Sequence, residues 1–190
     1  MDNKTRILFR EIQERYVKVL WTHKIHLCQA DILTKKNNER RVILEINSIF
    51  VSTAAIVNIF KWIPEGIIVP VFALSSLALT FLTLRFKADN LLKSASDNML
   101  FAALLRNLRN QYALLLTELK SETIDISLAV KRLQTIQDDE KLIFSGLEPP
   151  TSAEAEQHAR TALKIKKDST TTDDEIELLV STNLQLDKER

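Results

Sequence analysis

The chain has 190 residues, enough for one domain with a small appendage, and its 26 basic and 25 acidic residues nearly cancel. That balance excludes a nucleic-acid binder built on bulk charge, and two glycines with four prolines leave too few turns for a β-rich fold. A single cysteine, Cys28, excludes an intramolecular disulfide framework and suits a reducing compartment.

The first forty residues carry charges throughout, so no secretory leader is expected. From Thr5 to about Thr34, apolar residues recur at helical spacing: Leu8, Ile12, Tyr16, Val19, Leu20, Leu27, Ala30 and Leu33. This predicts an amphipathic helix with one apolar and one charged face. The run Lys35-Lys36-Asn37-Asn38 is expected to break it.

Nearly all uninterrupted hydrophobicity then falls between Val42 and Phe86. The first run, Val42–Ile63, contains Glu45, Asn47 and Asn58, and Lys61 and Trp62 stand at its far end. Charged groups near either end can reach an interface, and tryptophan belongs in the interfacial belt. Pro64-Glu65-Gly66 supplies a reversal. The second run, Ile67–Leu84, has eighteen residues without a charge. At 1.5 Å per residue it spans ~27 Å, close to the ~30 Å hydrocarbon core. Its Ile, Leu, Val and Phe residues favour insertion by roughly −5 kcal/mol in total. The two runs therefore read as a transmembrane hairpin. The alternative, a soluble core hairpin, needs apolar surface on all sides, and the amphipathic flanks cover only one. Lys24, Lys35, Lys36, Arg40 and Arg41 precede the hairpin and Arg85, Lys87 and Lys93 follow it, while the turn holds only Lys61. The excess of basic residues places both termini in the cytoplasm.

A long helix is expected beyond the second run. Leu92, Ala95, Met99, Ala102, Leu105, Leu108, Tyr112, Leu115 and Leu119 recur at steps of three and four, a coiled-coil-like seam. It serves either a bundle with the N-terminal helix or self-association; periodicity alone does not separate the two. Another amphipathic helix follows near Thr123–Ile143, with Ile126, Ala129, Leu133 and Ile136, ended by Gly146 and Pro149-Pro150. Two short helices close the chain, at about Thr151–Lys167 and Asp173–Val180, the second with a capping box of Thr172 and Glu175. The last residues are expected to fray.

Catalytic signals are scarce. Glycines only at 66 and 146 exclude a phosphate-cradling glycine loop, and neither Cys-x-x-Cys nor His-Glu-x-x-His occurs. His23 and His26 share a helix face and read as packing histidines; a metal would need ligands from distant segments. No enzyme activity, cofactor or metal is expected. Glu45 is either a functional intramembrane carboxylate or an interfacial one. Small and polar residues form a stripe on each apolar run: Glu45, Ser48, Ser52 and Ala55, with Asn58 to the side, and Gly66, Ala73, Ser76, Thr80 and Thr83, ending at Lys87. Such stripes serve close helix packing or, if several hairpins assemble, a hydroxyl-lined pore.

The "LWTHKIHL" of Leu20–Leu27, the basic run before a short-turned hairpin, and the "EPPTSAEAEQHARTALKIKKDSTTTDDEIELLVS" of Glu148–Ser181 are similar to the SLATT domain, a bacterial two-transmembrane effector found beside nucleotide-signalling conflict systems. The resemblance implies an inner-membrane effector of anti-phage or stress defence that perforates the membrane when activated, with its trigger supplied by a separately encoded sensor.

The expected architecture is thus an all-α membrane protein. It comprises an N-terminal amphipathic helix (1–41), a transmembrane hairpin (42–84), a cytoplasmic helical region (85–147), C-terminal short helices (148–184) and a frayed tail (185–190). Its expected partners are membrane lipids and further copies of itself, with no nucleic acid. The expected function is an oligomeric pore; the alternative is a non-conducting anchor or adaptor whose cytoplasmic bundle recruits a partner.

Overall fold

The computed structural model describes residues 2–59, 64–146, 148–163 and 184. These are helical with no strand among them: α1 Asn3–Ile59, α2 Glu65–Asp89, α3 Leu91–Lys120, α4 Ile126–Ser145 and α5 Ala153–Ala162. The chain divides into two compact units, one built from residues 1–30 and 96–190 and the other from Asp31–Ala95.

The expected break at Lys35–Asn38 is absent, because α1 runs through it. The reason lies in composition: no glycine or proline precedes Pro64. Lysine costs a helix little and asparagine only about 0.5–0.7 kcal/mol, while Lys35 and Glu39 form an exposed pair one turn apart. Pro70 lies deeper than the first turn, since α2 already begins at Glu65. The carbonyl four residues earlier belongs to Gly66 and loses its usual donor there.

In the first unit the N-terminal half of α1 packs with α3 and α4. Phe9 and Ile12 of α1, Leu105, Leu108, Leu115 and Leu116 of α3 and Ala129 of α4 are all but inaccessible. Burial of each large apolar side chain contributes about 1.5–3 kcal/mol. Tyr112 is also fully buried, and its hydroxyl donates to Glu140 of α4 at 2.6 Å. Arg15 of α1 approaches the same carboxylate at 3.5 Å, so one buried acid ties three helices together. Burial first, and then the bond to Glu140, hold the Tyr112 phenol well above its ordinary range. Ala129, Leu133 and Ile136 form the buried stripe of α4, and Gly146 caps its end.

A second polar tie joins α1, α3 and the segment before α5. His26 is 1% exposed; its Nδ1 lies 2.8 Å from Asn98 Oδ1, where the ring N–H donates, and its Nε2 faces Glu148 at 3.4 Å. Its ring packs on Phe101 with centroids 4.6 Å apart. One turn on, Gln29 accepts from both the backbone N–H and the hydroxyl of Ser152. Ser152 in turn caps α5, accepting from the Ala155 N–H. The expected helix at Asp173–Val180, its capping box and the tail lie outside the described residues.

In the second unit, Arg40 of α1 sits against Asp89 at the end of α2, with 2.8 Å between Nη1 and Oδ2, and its guanidinium stacks 4.9 Å from the Phe86 ring. The half-buried positions recur at helical spacing on both elements: Leu44, Asn47 and Val51 on α1, and Leu79, Leu82 and Phe86 on α2. Arg40 thus brings the start of the first apolar run to the end of α2.

Two outcomes test these ties. Tyr112→Phe strands the Glu140 carboxylate without its closest donor, so it is expected to lower stability by about 1–3 kcal/mol in denaturant unfolding of the detergent-solubilised protein. His23, buried on the same face as His26, has its pKa lowered from 6.5 to about 4, by burial first and then by Arg109, Arg106 and Lys24. The unfolded chain therefore binds the extra proton between these values, and stability present above about 6.5 is lost as pH falls toward about 4. His23→Gln should flatten that acid-side slope in a pH series of melting temperatures; an unchanged slope would assign it to another group.

Candidate functional site

The distinctive surface lies on the second unit. Val42, Ile43, Ile46, Ile49, Phe50 and Ile56 of α1 are all exposed, as are Ile67, Val69, Leu74, Leu77, Phe81 and Leu84 of α2. Leaving that much apolar surface in water costs on the order of 10 kcal/mol. It also far exceeds the scattered apolar residues normal on a soluble surface. The stretch Gly66–Lys120 contains an eighteen-residue window of mean hydropathy 2.3 of which 6% is buried. Among the described residues it is the one helical stretch long and apolar enough to cross a membrane. The charge-free run Ile67–Leu84 of α2 provides that character, whereas a soluble core helix of this composition would be mostly buried.

Several hydroxyls on these helices bond back within their own turns. Ser52 donates to the Ser48 carbonyl and Thr80 to the Ser76 carbonyl, each at 2.9 Å, and Thr83 donates to Leu79 at 2.7 Å. Back-bonding of this kind lets a hydroxyl face hydrocarbon without an unmet donor, while an oxygen lone pair stays free for a second partner. Ser48, Ser52, Thr80 and Thr83 are exposed, and Ser76 is half-buried. The exposed four therefore line neither of the half-buried rows on α1 and α2, while Ser76, three residues before Leu79, extends the row on α2. The side chains of Ala55 and Asn58 lie outside the described residues.

Glu45 accepts from Arg41 Nε at 2.7 Å, one turn back along α1. The contact draws the carboxylate toward the basic end of the apolar run rather than toward its middle. Both side chains are more than half exposed.

The seam expected on the long helix divides. Leu105, Leu108, Tyr112, Leu115 and Leu119 lie in the core of the first unit, whereas Leu92 and Met99 are exposed. Among the described residues, no group of three or more His, Cys, Asp or Glu side chains is placed to hold a metal ion.

The reading of the sequence missed the pairing of Arg40 with Asp89 and the half-buried row Leu44, Asn47 and Val51. A signal was present: opposite charges stand just before the first apolar run and just after the second, where a reversal of the chain brings them together. The row itself was obscured by its neighbours, since every face of an apolar run is apolar.

Comparison with curated proteins and with solved structures returned no match. Residues 8–175 match the SMODS and SLOG-associating 2TM effector domain family 4. That match spans α1 to α5 and covers far more than half of the chain, and an exposed membrane-length helix is what a two-transmembrane effector domain requires. The chain belongs to the SMODS and SLOG-associating two-transmembrane effector domains, in their fourth family.

Proposed function

We propose that the protein is a bacterial inner-membrane effector of a defence or stress system that oligomerises through its membrane hairpin and depolarises the membrane when triggered. The exposure of the apolar faces of α1 and α2 carries this reading. A surface of that extent demands lipid, and the family is one of membrane effectors. In this reading Val42–Ile63 and Ile67–Leu84 are the two spans; the end of the first span and the turn expected at Lys61 and Trp62 lie outside the described residues. The basic residues around Arg41 and Lys87 hold the cytoplasmic side.

The hydroxyl stripes are the wall of the proposed conduit. One hairpin encloses nothing, so the conduit needs several copies. Ser52 and Thr80 are exposed in the single chain and keep a lone pair for water or ions. Activation is assigned to a partner encoded separately, in keeping with the association that the family's name states. The observation that favours a second reading, a non-conducting anchor, is the same back-bonding: satisfied hydroxyls can face lipid as readily as a lumen.

Membrane potential separates the two in cells expressing the chain with its neighbouring genes and trigger. Wild type is expected to depolarise the membrane, and Ser52→Leu/Thr80→Leu, at equal membrane abundance, to lose at least about 90% of that effect. Depolarisation by both would refute a hydroxyl-lined wall, and its absence in both would favour the anchor. Leu108 and Leu115 are unsuited to probing partner recruitment, because a charge at either would disrupt the buried core.

A further inference from the structure

α3 has two faces, and the first unit uses only one of them. The core takes Leu105, Leu108, Tyr112, Leu115 and Leu119. Across the helix, Ser96, Leu100, Ala103, Asn107, Asn110, Leu114 and Thr117 are all exposed, at alternating steps of four and three residues. None is charged, although 27% of the chain is. An exposed helix face normally collects charge, so this one has the composition of a covered seam.

We propose that this face is a self-association seam, on which α3 of a second copy lies in parallel and in register; the inference rests on the oligomeric reading above and identifies the surface outside the apolar spans that serves it. With Leu100, Asn107 and Leu114 at the a positions, Ser96, Ala103, Asn110 and Thr117 occupy d. Three features select a second copy as the occupant. First, an amide is both donor and acceptor, so Asn107 opposite Asn107 and Asn110 opposite Asn110 satisfy one another. Lipid or an apolar partner helix would leave the Asn107 amide unpaired and Asn110 with only its long bond from Arg109, at a cost. A single asparagine at an a position is also a known device for fixing register.

Second, the flanks agree with a parallel pair. Met99 falls at g and Leu104 at e, and both are exposed, at 56% and 50%. Parallel packing brings Met99 of one copy against Leu104 of the other and covers both. Third, the charges oppose the antiparallel alternative, in which the e positions face each other and Asp97 approaches Glu118 of the other copy. In the parallel pair Arg106 meets Gln111, and no like charges oppose.

The area sets how strong the contact is. Ser96–Thr117 is ~33 Å long, and a strip ~10 Å wide buries roughly 600–700 Å² over both copies. A stable free dimer needs about 1,200 Å² or more. The seam therefore requires copies already concentrated by a shared membrane.

Single cysteines placed in the Cys28→Ser full-length chain test this in native membranes with a mild oxidant. Ala103→Cys and Asn110→Cys are expected to give at least five-fold more disulfide-linked dimer than Gln134→Cys, on the exposed face of α4. Adding Asn107→Asp to Ala103→Cys should reduce that dimer several-fold. Equal yields at all three positions, no effect of Asn107→Asp, or linkage of Ala103→Cys to a different protein would overturn the inference. Dimer at Thr80→Cys alone would overturn the α3 seam while leaving the oligomeric reading intact, whereas no dimer at any of these positions would contradict both.

Discussion

The constraint on which the rest depends is the hydration cost of α2. Eighteen consecutive uncharged residues form a helix whose side chains, Ile68 excepted, remain at least partly open. In water that surface would drive aggregation; in a bilayer the same surface is the stabilising contact, and every backbone group except at the proline site is already bonded within the helix. The second half of α1 also exposes apolar side chains, interrupted by Glu45 and Asn47. The Arg40–Asp89 pair and the cation over Phe86 hold these helices where their charged ends meet. The contact stands at the boundary of the apolar runs, with both side chains partly exposed although the Arg40 Nη1 that faces Asp89 is itself buried.

The first unit follows a different logic, that of a bundle closed around its own core. Its apolar core is closed by side-chain ties that engage several helices at once: Tyr112 and Arg15 on Glu140, His26 on Asn98 and Glu148, Gln29 on Ser152. Each buried polar group in these ties has a partner, which is the condition for polar groups to stabilise rather than weaken a core. α1 contributes to both units along one uninterrupted helix. The chain thus presents an exposed apolar surface and a bundle with a buried core within the same short sequence.

Much of the helical order was legible in the sequence because its signals are local. Ala129, Leu133 and Ile136 predicted the buried face of α4, and Gly146 its end. The charge-free run predicted the membrane-length helix directly. Less legible were features set by tertiary partners. Asn37 and Asn38 resemble a loop in isolation, yet α1 passes through them, since asparagine lacks the backbone effect of glycine or proline. Leu92 and Met99 lie on its open side, because the steps from Met99 through Ala102 and Leu105 to Leu108 are all of three residues, each about 60° short of a full turn, and together carry the seam to the opposite face. The candidate hydroxyls were found by their chemistry, whereas the half-buried row of Asn47 and Leu79 carried no chemical mark. Which of two apolar faces meets a neighbour is decided by shape, and one sequence does not record it.

In the proposed function α1 and α2 cross the membrane as a pair whose basic ends, at Arg41 and Lys87, face the cytoplasm. The most direct measurement is labelling of single cysteines, in the Cys28→Ser chain, by a membrane-impermeant maleimide on spheroplasts. Glu65→Cys, at the start of α2, should react from outside, while Ser121→Cys, between α3 and α4, should react only after lysis. Labelling of both from outside, or of neither until lysis, would contradict the hairpin topology.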